Sequence, residues 1–196
     1  MINLKEQEEL YSLLKDSADE KRKSKIEKKQ KQFLLKNIEE VCKSFDGEMR
    51  VDMSSFNTHI KANRWFLKQD GNLANRDYDE YNKIYDTKTF DAVIGVEILP
   101  IALHMTLCFI MKGVHQQGGY QDLVGKEIGI YVNAINKNTD DNIHFFFILD
   151  GDAINNFDFH QQVGLNDKYT LTSTYDFDID FRKFINNKIY EYNGKR

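Results

Sequence analysis

The sequence predicts an α+β fold: an N-terminal helical hairpin or arm, then a mainly antiparallel β-sheet with a short C-terminal helix. Three observations lead there. Apolar residues between Leu34 and Phe45 recur at helical spacing, the chain from Phe90 onward is a succession of apolar runs with period-two alternation, and Gly-containing turn signals separate those runs. A chain of 196 residues that is 41% hydrophobic and 13% aromatic can fill an ordinary core. With one proline, two cysteines and 30% charged residues of both signs, it is neither collagen-like, nor a disulfide scaffold, nor an acidic disordered tail.

The boundaries expected are a helical arm over residues 1–46 and an α+β body over 47–196, together one structural unit. Leu4, Leu10, Leu13 and Leu14 give a first helix a modest apolar face. Ser17 to Glu20 has the S-x-x-E form in which two side chains satisfy the exposed N–H groups of a helix start. A second helix from about residue 18 carries Leu34, Ile38, Val41, Cys42 and Phe45 on one face, and Gly47 suits its stop.

Past Gly47, residues 48–53 alternate as a strand, residues 56–68 fit helix or strand, and Asp70-Gly71 marks a turn. Asn75 can cap a short helix bearing Tyr78, Tyr81 and Tyr85. Strands are expected over Ala92–Leu99, Ile101–Val114, Glu127–Ile135, Ile143–Leu149 and Tyr169–Asp180, with Asp150-Gly151 as a tight hairpin turn and residues 182–192 as a closing helix. The apolar stretch 92–114 contains Glu97, Pro100, His104 and Lys112, and its charge-free part is too short to span a bilayer. No cationic start precedes an apolar run, and Cys42 and Cys108 stand far apart, so two buried thiols in a cytoplasmic protein are expected.

The strongest chemical signal is Phe145 to Asp152, FFFILDGD. A hydrophobic strand ending in D-x-D places Asp150 and Asp152 where they could share a divalent cation, the arrangement that metal-dependent phosphoryl transfer requires. Over these eight residues the segment resembles the strand-plus-D-x-D of Toprim-type nucleases and of archaeo-eukaryotic primases. The Toprim resemblance implies Mg²⁺ or Mn²⁺ and a glutamate at the end of an earlier strand. Glu97 in AVIGVEIL is the candidate, although Ile98 replaces the glycine that usually follows; the primase resemblance lacks a downstream histidine motif. The competing explanation, a plain Asp-Gly turn, needs no metal. A D…E-x-K nuclease set from Asp91 and Glu97 fails because Leu99 stands in place of the lysine.

Two charged features suggest partners instead. Residues 21–36 hold eight Lys/Arg against one Glu, in a chain whose net charge is −4. Lys21, Arg22, Lys23, Lys25, Lys28, Lys29 and Lys31 could meet an acidic protein surface or neutralise phosphates, and the absence of interleaved aromatics speaks against base readout. Asp176, Asp178 and Asp180 would share one strand face, available to solvent, a cation or a basic partner. The five histidines show no HExxH spacing, and no Walker A loop or G-x-S-x-G elbow is present.

No complete catalytic set emerges, and no catalytic residue or resident cofactor is assigned. The expectation is a non-enzymatic interaction, inhibitor or accessory protein that self-associates, without a membrane partner. Its Asn-, Asp- and Lys-rich, proline-poor composition is common in phages and mobile elements. The alternatives are a metal-dependent enzyme acting on nucleotides or nucleic acid through Asp150 and Asp152, and a nucleic-acid-binding module using the basic helix.

Overall fold

Helix α1 (Glu20–Lys43) forms where straight-chain residues of high helical propensity dominate, and its described buried stripe runs from Phe33 onward. Phe33, Leu34, Ile38, Val41 and Cys42 are buried along one stripe, with Asn37 beside them. The last turn closes through the Ser44 N–H, which donates to the Glu40 and Val41 carbonyls at 3.1 and 3.0 Å. The computed structural model describes residues 20–45, 49–52, 64–113, 119–150 and 167–194. The predicted first helix, the Ser17 cap, Gly47 and Asp152 lie outside the described residues.

The strands are β1 (Met49–Asp52), β2 (Trp65–Leu67), β3 (Leu73–Asn75), β4 (Ala92–Ile98), β5 (Leu103–Gly113), β6 (Ile143–Asp150) and β7 (Tyr169–Thr172). Five of them form one sheet in the order β1-β4-β5-β6-β7, and β2 and β3 form a separate hairpin. A 3₁₀ turn at Leu99–Ile101, with Pro100 at its start, joins β4 to β5. Alternation then sends Ile94, Val96, Leu107, Phe109, Phe146 and Ile148 to one face, under α1 and the last helix, α3 (Phe177–Gly194). Val93, Cys108, Ile110, Phe145, Phe147 and Leu149 point to the other face, under α2 (Gly119–Ile135) and the hairpin. Every residue of β6 is buried, as expected of an interior strand covered on both sides.

The α+β class holds, but the sheet is mixed rather than mainly antiparallel. β1 and β5 run antiparallel to β4, whereas β6 is parallel to β5 and β7 is parallel to β6. The cause lies in the connections. The segment 127–135, expected as a strand, is the second half of α2, a crossover that returns the chain to the edge where β5 began. The hairpin turn expected at Asp150-Gly151 lies outside the described residues at Gly151, and the next described strand, β7, is parallel to β6. The strand expected to run to Asp180 stops at Thr172. Phe177, Phe181, Phe184 and Ile185 then bury one helical stripe while Ile179 stays exposed, which no alternation could produce. The helix expected after Asn75 is replaced by two turns.

The β2–β3 hairpin turns at Asp70-Gly71 as predicted. The Gly71 N–H donates to the Lys68 carbonyl at 2.9 Å, and an Asp70 carboxylate oxygen accepts from the Asn72 N–H at 3.0 Å. Gly71 has φ +89°, and a Cβ there would stand 2.5 Å from the Asn138 nitrogen at the end of α2, whose side chain donates to the Gly71 carbonyl at 2.7 Å. Gly71→Ala is therefore expected to destabilise the protein by about 2 kcal/mol or more, combining left-handed strain with a backbone clash. Urea denaturation would show it, and an unchanged midpoint would mean that the hairpin does not rest on α2.

Candidate functional site

The strands dictate where chemistry could gather. β5, β6 and β7 end at the same edge of the sheet, and β4 begins there. Ligands of open α/β sheets bind beyond such carboxyl ends, so the polar groups along this edge are the candidate site.

Asp150, the last residue of β6, is 4% exposed. Its carboxylate accepts from the Thr174 N–H at 2.9 Å and from the Thr174 hydroxyl, tying the end of β6 to the turn before α3. Glu97 lies far from it. Glu97 pairs with His104 in the β4–β5 register and Asp150 with Gly113 in the β5–β6 register. The nine-residue step along β5 corresponds to about 30 Å at strand rise. Glu97 sits instead at the opposite edge, 3.5 Å from a largely exposed His104 imidazole. The trio implied by the Toprim resemblance is thus not assembled, and no cluster of three or more metal-ligating side chains occurs among the described residues.

Beside Asp150 on the same edge lies a charged cluster that the sequence did not reveal. Asp91, just before β4, accepts from the Met111 N–H at 2.7 Å and faces the Lys31 ammonium of α1 at 3.7 Å. Glu127 of α2 pairs with Lys112 of β5 at 2.5 Å and with Lys88 at 2.6 Å. Packing around Asp91 raises its carboxyl above the usual range, against the pull of the Met111 N–H, Lys112 and Lys31. Burial also pushes Glu127 up, but Lys112 and then Lys88 outweigh it and hold Glu127 below its ordinary value. Opposite charges satisfy one another across four elements, so this cluster clasps both helical layers to the sheet. Asp91 is 20 residues before Met111, whose N–H it accepts; nothing in local spacing announces such a partner.

The remaining candidates separate. Lys29 is exposed and Lys31 is half-buried against Asp91. Lys21, Arg22, Lys23, Lys25 and Lys28 lie on the backbone of α1, their side chains outside the described set. Asp176, Asp178 and Asp180 start α3 instead of lining a strand. Asp176 and Ser173 bond reciprocally, the Ser173 hydroxyl donating at 2.8 Å and the Asp176 N–H at 3.0 Å. Asp178 pairs with Arg182 at 3.2 Å and Asp180 with Lys183 at 3.5 Å. Acidic groups there also complement the helix dipole, so local stability accounts for all three.

Both thiols are free and buried. Burial, with Glu39 adding to it, pushes Cys42 up to about 12, and burial alone drives Cys108 higher still, so neither is a nucleophile near neutral pH. Cys108 points to the α2 face and His144 to the α3 face, which separates that pair as a catalytic couple. His144 is the other group the sequence did not single out. It is 4% exposed, hydrogen-bonded to the Thr170 hydroxyl at 2.9 Å, with its ring centroid 4.1 Å from that of Phe184. No helix among the described residues is long and apolar enough to cross a membrane. No protein-family model matches the sequence, and neither a curated protein nor a solved structure matches this chain.

Proposed function

We propose that this protein is a non-catalytic interaction protein, of the inhibitor or accessory kind, that docks an acidic protein surface through the first half of α1. The observation that supports this is how charge and apolar residues divide along α1. Phe33 is the first buried residue of the helix among those described, yet the helical backbone starts at Glu20. Those thirteen residues correspond to about 20 Å of helix, with Ile26 as their only large apolar side chain and seven of the eight Lys/Arg of residues 21–36. A helix of that composition gains little by burial within its own chain and much by pairing with opposite charge.

The test is fluorescence anisotropy with a labelled polyglutamate peptide and with a labelled DNA duplex, using wild type and a Lys21→Glu, Lys25→Glu, Lys28→Glu variant. Binding to the peptide is expected, weakened by about tenfold or more in the variant. Preference for the duplex, with a steep loss between low and physiological salt, would favour the nucleic-acid module instead. Binding to neither would sink the docking role of the helix.

A metal-dependent enzyme is the second reading, favoured by one observation: Asp150 is buried at the carboxyl end of an interior parallel strand. Only under this reading would Mg²⁺ or Mn²⁺ be a cofactor, with Asp150 and Asp152 as ligands. Calorimetric titration of Mn²⁺ into wild type and Asp152→Ala decides it. Stoichiometric binding lost in the variant would promote the enzyme.

A further inference from the structure

Residues 75–86 contain a duplication that composition hides. Asn75-Arg76-Asp77-Tyr78-Asp79 and Asn82-Lys83-Ile84-Tyr85-Asp86 share the pattern N-x-x-Y-D, seven residues apart. The two copies fold alike. In each, the asparagine side-chain oxygen accepts the N–H two residues on, at 3.0 Å from Asp77 and 3.0 Å from Ile84. In each, the closing aspartate accepts the asparagine N–H, at 2.9 Å for Asp79 and 2.7 Å for Asp86. The second oxygen of each aspartate anchors its turn to the β2–β3 hairpin, Asp79 to the Lys68 ammonium at 3.2 Å and Asp86 to the Gln69 N–H at 3.1 Å. Between the turns, Tyr81 is held inward by an edge contact with Phe66 and by the Arg76 guanidinium over its ring.

This scaffold holds three large apolar side chains out in water: Tyr78 is 89% exposed, Ile84 74% and Tyr85 54%. We propose that the two turns form a homodimer contact in which Tyr78 of one copy packs beside the partner's Tyr85, and the reverse, about a two-fold axis. Three arguments favour a second copy as the occupant. A two-fold contact requires a surface complementary to itself, and a duplicated turn supplies matched projections from one chain. Residues 64–88 carry five Lys/Arg and five Asp/Glu, so two copies meet without net repulsion and neither polyanion nor polycation is favoured. The area is adequate: at roughly 150–250 Å² per aromatic side chain, the three residues supply on the order of 400 Å² per copy. Two copies together supply on the order of 800 Å², the size of a weak and reversible contact rather than of a permanent interface.

Sedimentation velocity over roughly 5 to 300 µM, the range in which an interface of this size dissociates, tests the proposal with the full chain. Wild type is expected to shift reversibly from monomer to dimer, and Tyr78→Ser with Tyr85→Ser is expected to raise the dissociation constant by about tenfold or more. Tyr190→Ser, equally exposed but on α3, controls for general loss of surface aromatics and should leave the dimer intact. Mixed Tyr78→Cys and Tyr85→Cys variants should cross-link to each other faster than either does to itself. A wild type that stays monomeric throughout, or a dimer insensitive to the double variant, overturns the proposal.

Discussion

Replacing Phe146 with alanine is expected to destabilise the protein by about 4 kcal/mol, as large aromatic truncations in a rigid core do. Phe146 is fully buried on β6, with the rings of Phe109, Phe177, Phe181 and Phe184 at 5.3, 5.8, 5.8 and 5.4 Å. Three of those rings belong to α3, so the aromatic cluster joins that helix to two strands at once. The cavity cannot collapse easily, because the neighbouring rings are held by their own contacts with one another: Phe177 stacks on Phe181 at 5.4 Å and packs edge-on against Phe109 at 6.0 Å. Urea denaturation should show a lower midpoint with an unchanged slope. A loss below about 1.5 kcal/mol would mean that α3 re-seats without the ring, contrary to the packing described.

Acid sensitivity is the second large expected effect. Burial, assisted by Lys188, lowers His144 from 6.5 to about 3. The unfolded chain therefore binds a proton that the folded chain refuses in the window between those values, and stability falls as pH drops through it. From His144 alone the loss amounts to about 2 kcal/mol at pH 5 and grows further toward the folded pKa. His144→Leu fills similar space without a titrating group, so it should flatten stability against pH over that range even if its stability at pH 8 is lower. Parallel acid-dependence curves for the two proteins would assign the acid loss to other groups.

How much of this was legible in the sequence depended on whether one periodicity dominated a segment. The second half of α1 was legible because Leu34, Ile38, Val41 and Cys42 fit only a helix, and β4, β5 and β6 because branched and aromatic runs of that length fit strands. Helix α2 was misread because Ile128, Ile130 and Val132 alternate as well as Val124, Ile128, Tyr131, Val132 and Ile135 recur helically. Only the 40% exposure of Ile130 decides between the two patterns, and exposure is a tertiary fact. Asp176 to Asp180 failed in the same way, since a few residues of alternating acid and hydrophobe satisfy both periods.

The candidate site was legible in part. Asp150 stands at a strand end as read, but the separation from Glu97 is set by strand register, which spacing in the chain does not contain. Asp91, Lys112 and Glu127 meet only because a crossover helix brings α2 over the end of β5. His144 belongs to the same class: its isolation from water depends on α3, more than thirty residues later in the chain.

Arg182 of α3 donates to the Ser44 hydroxyl at the end of α1, at 2.5 Å, and the two helices share one face of the sheet. During synthesis, α1 leaves the ribosome first of the described elements, while every strand emerges before α3 does. The nascent chain must therefore carry the apolar stripe of α1 and the Phe109–Phe146 face of the sheet without their cover until α3 is made. Translation order, rather than any single contact, makes that interval the one in which this chain is most exposed to aggregation or to capture by a chaperone.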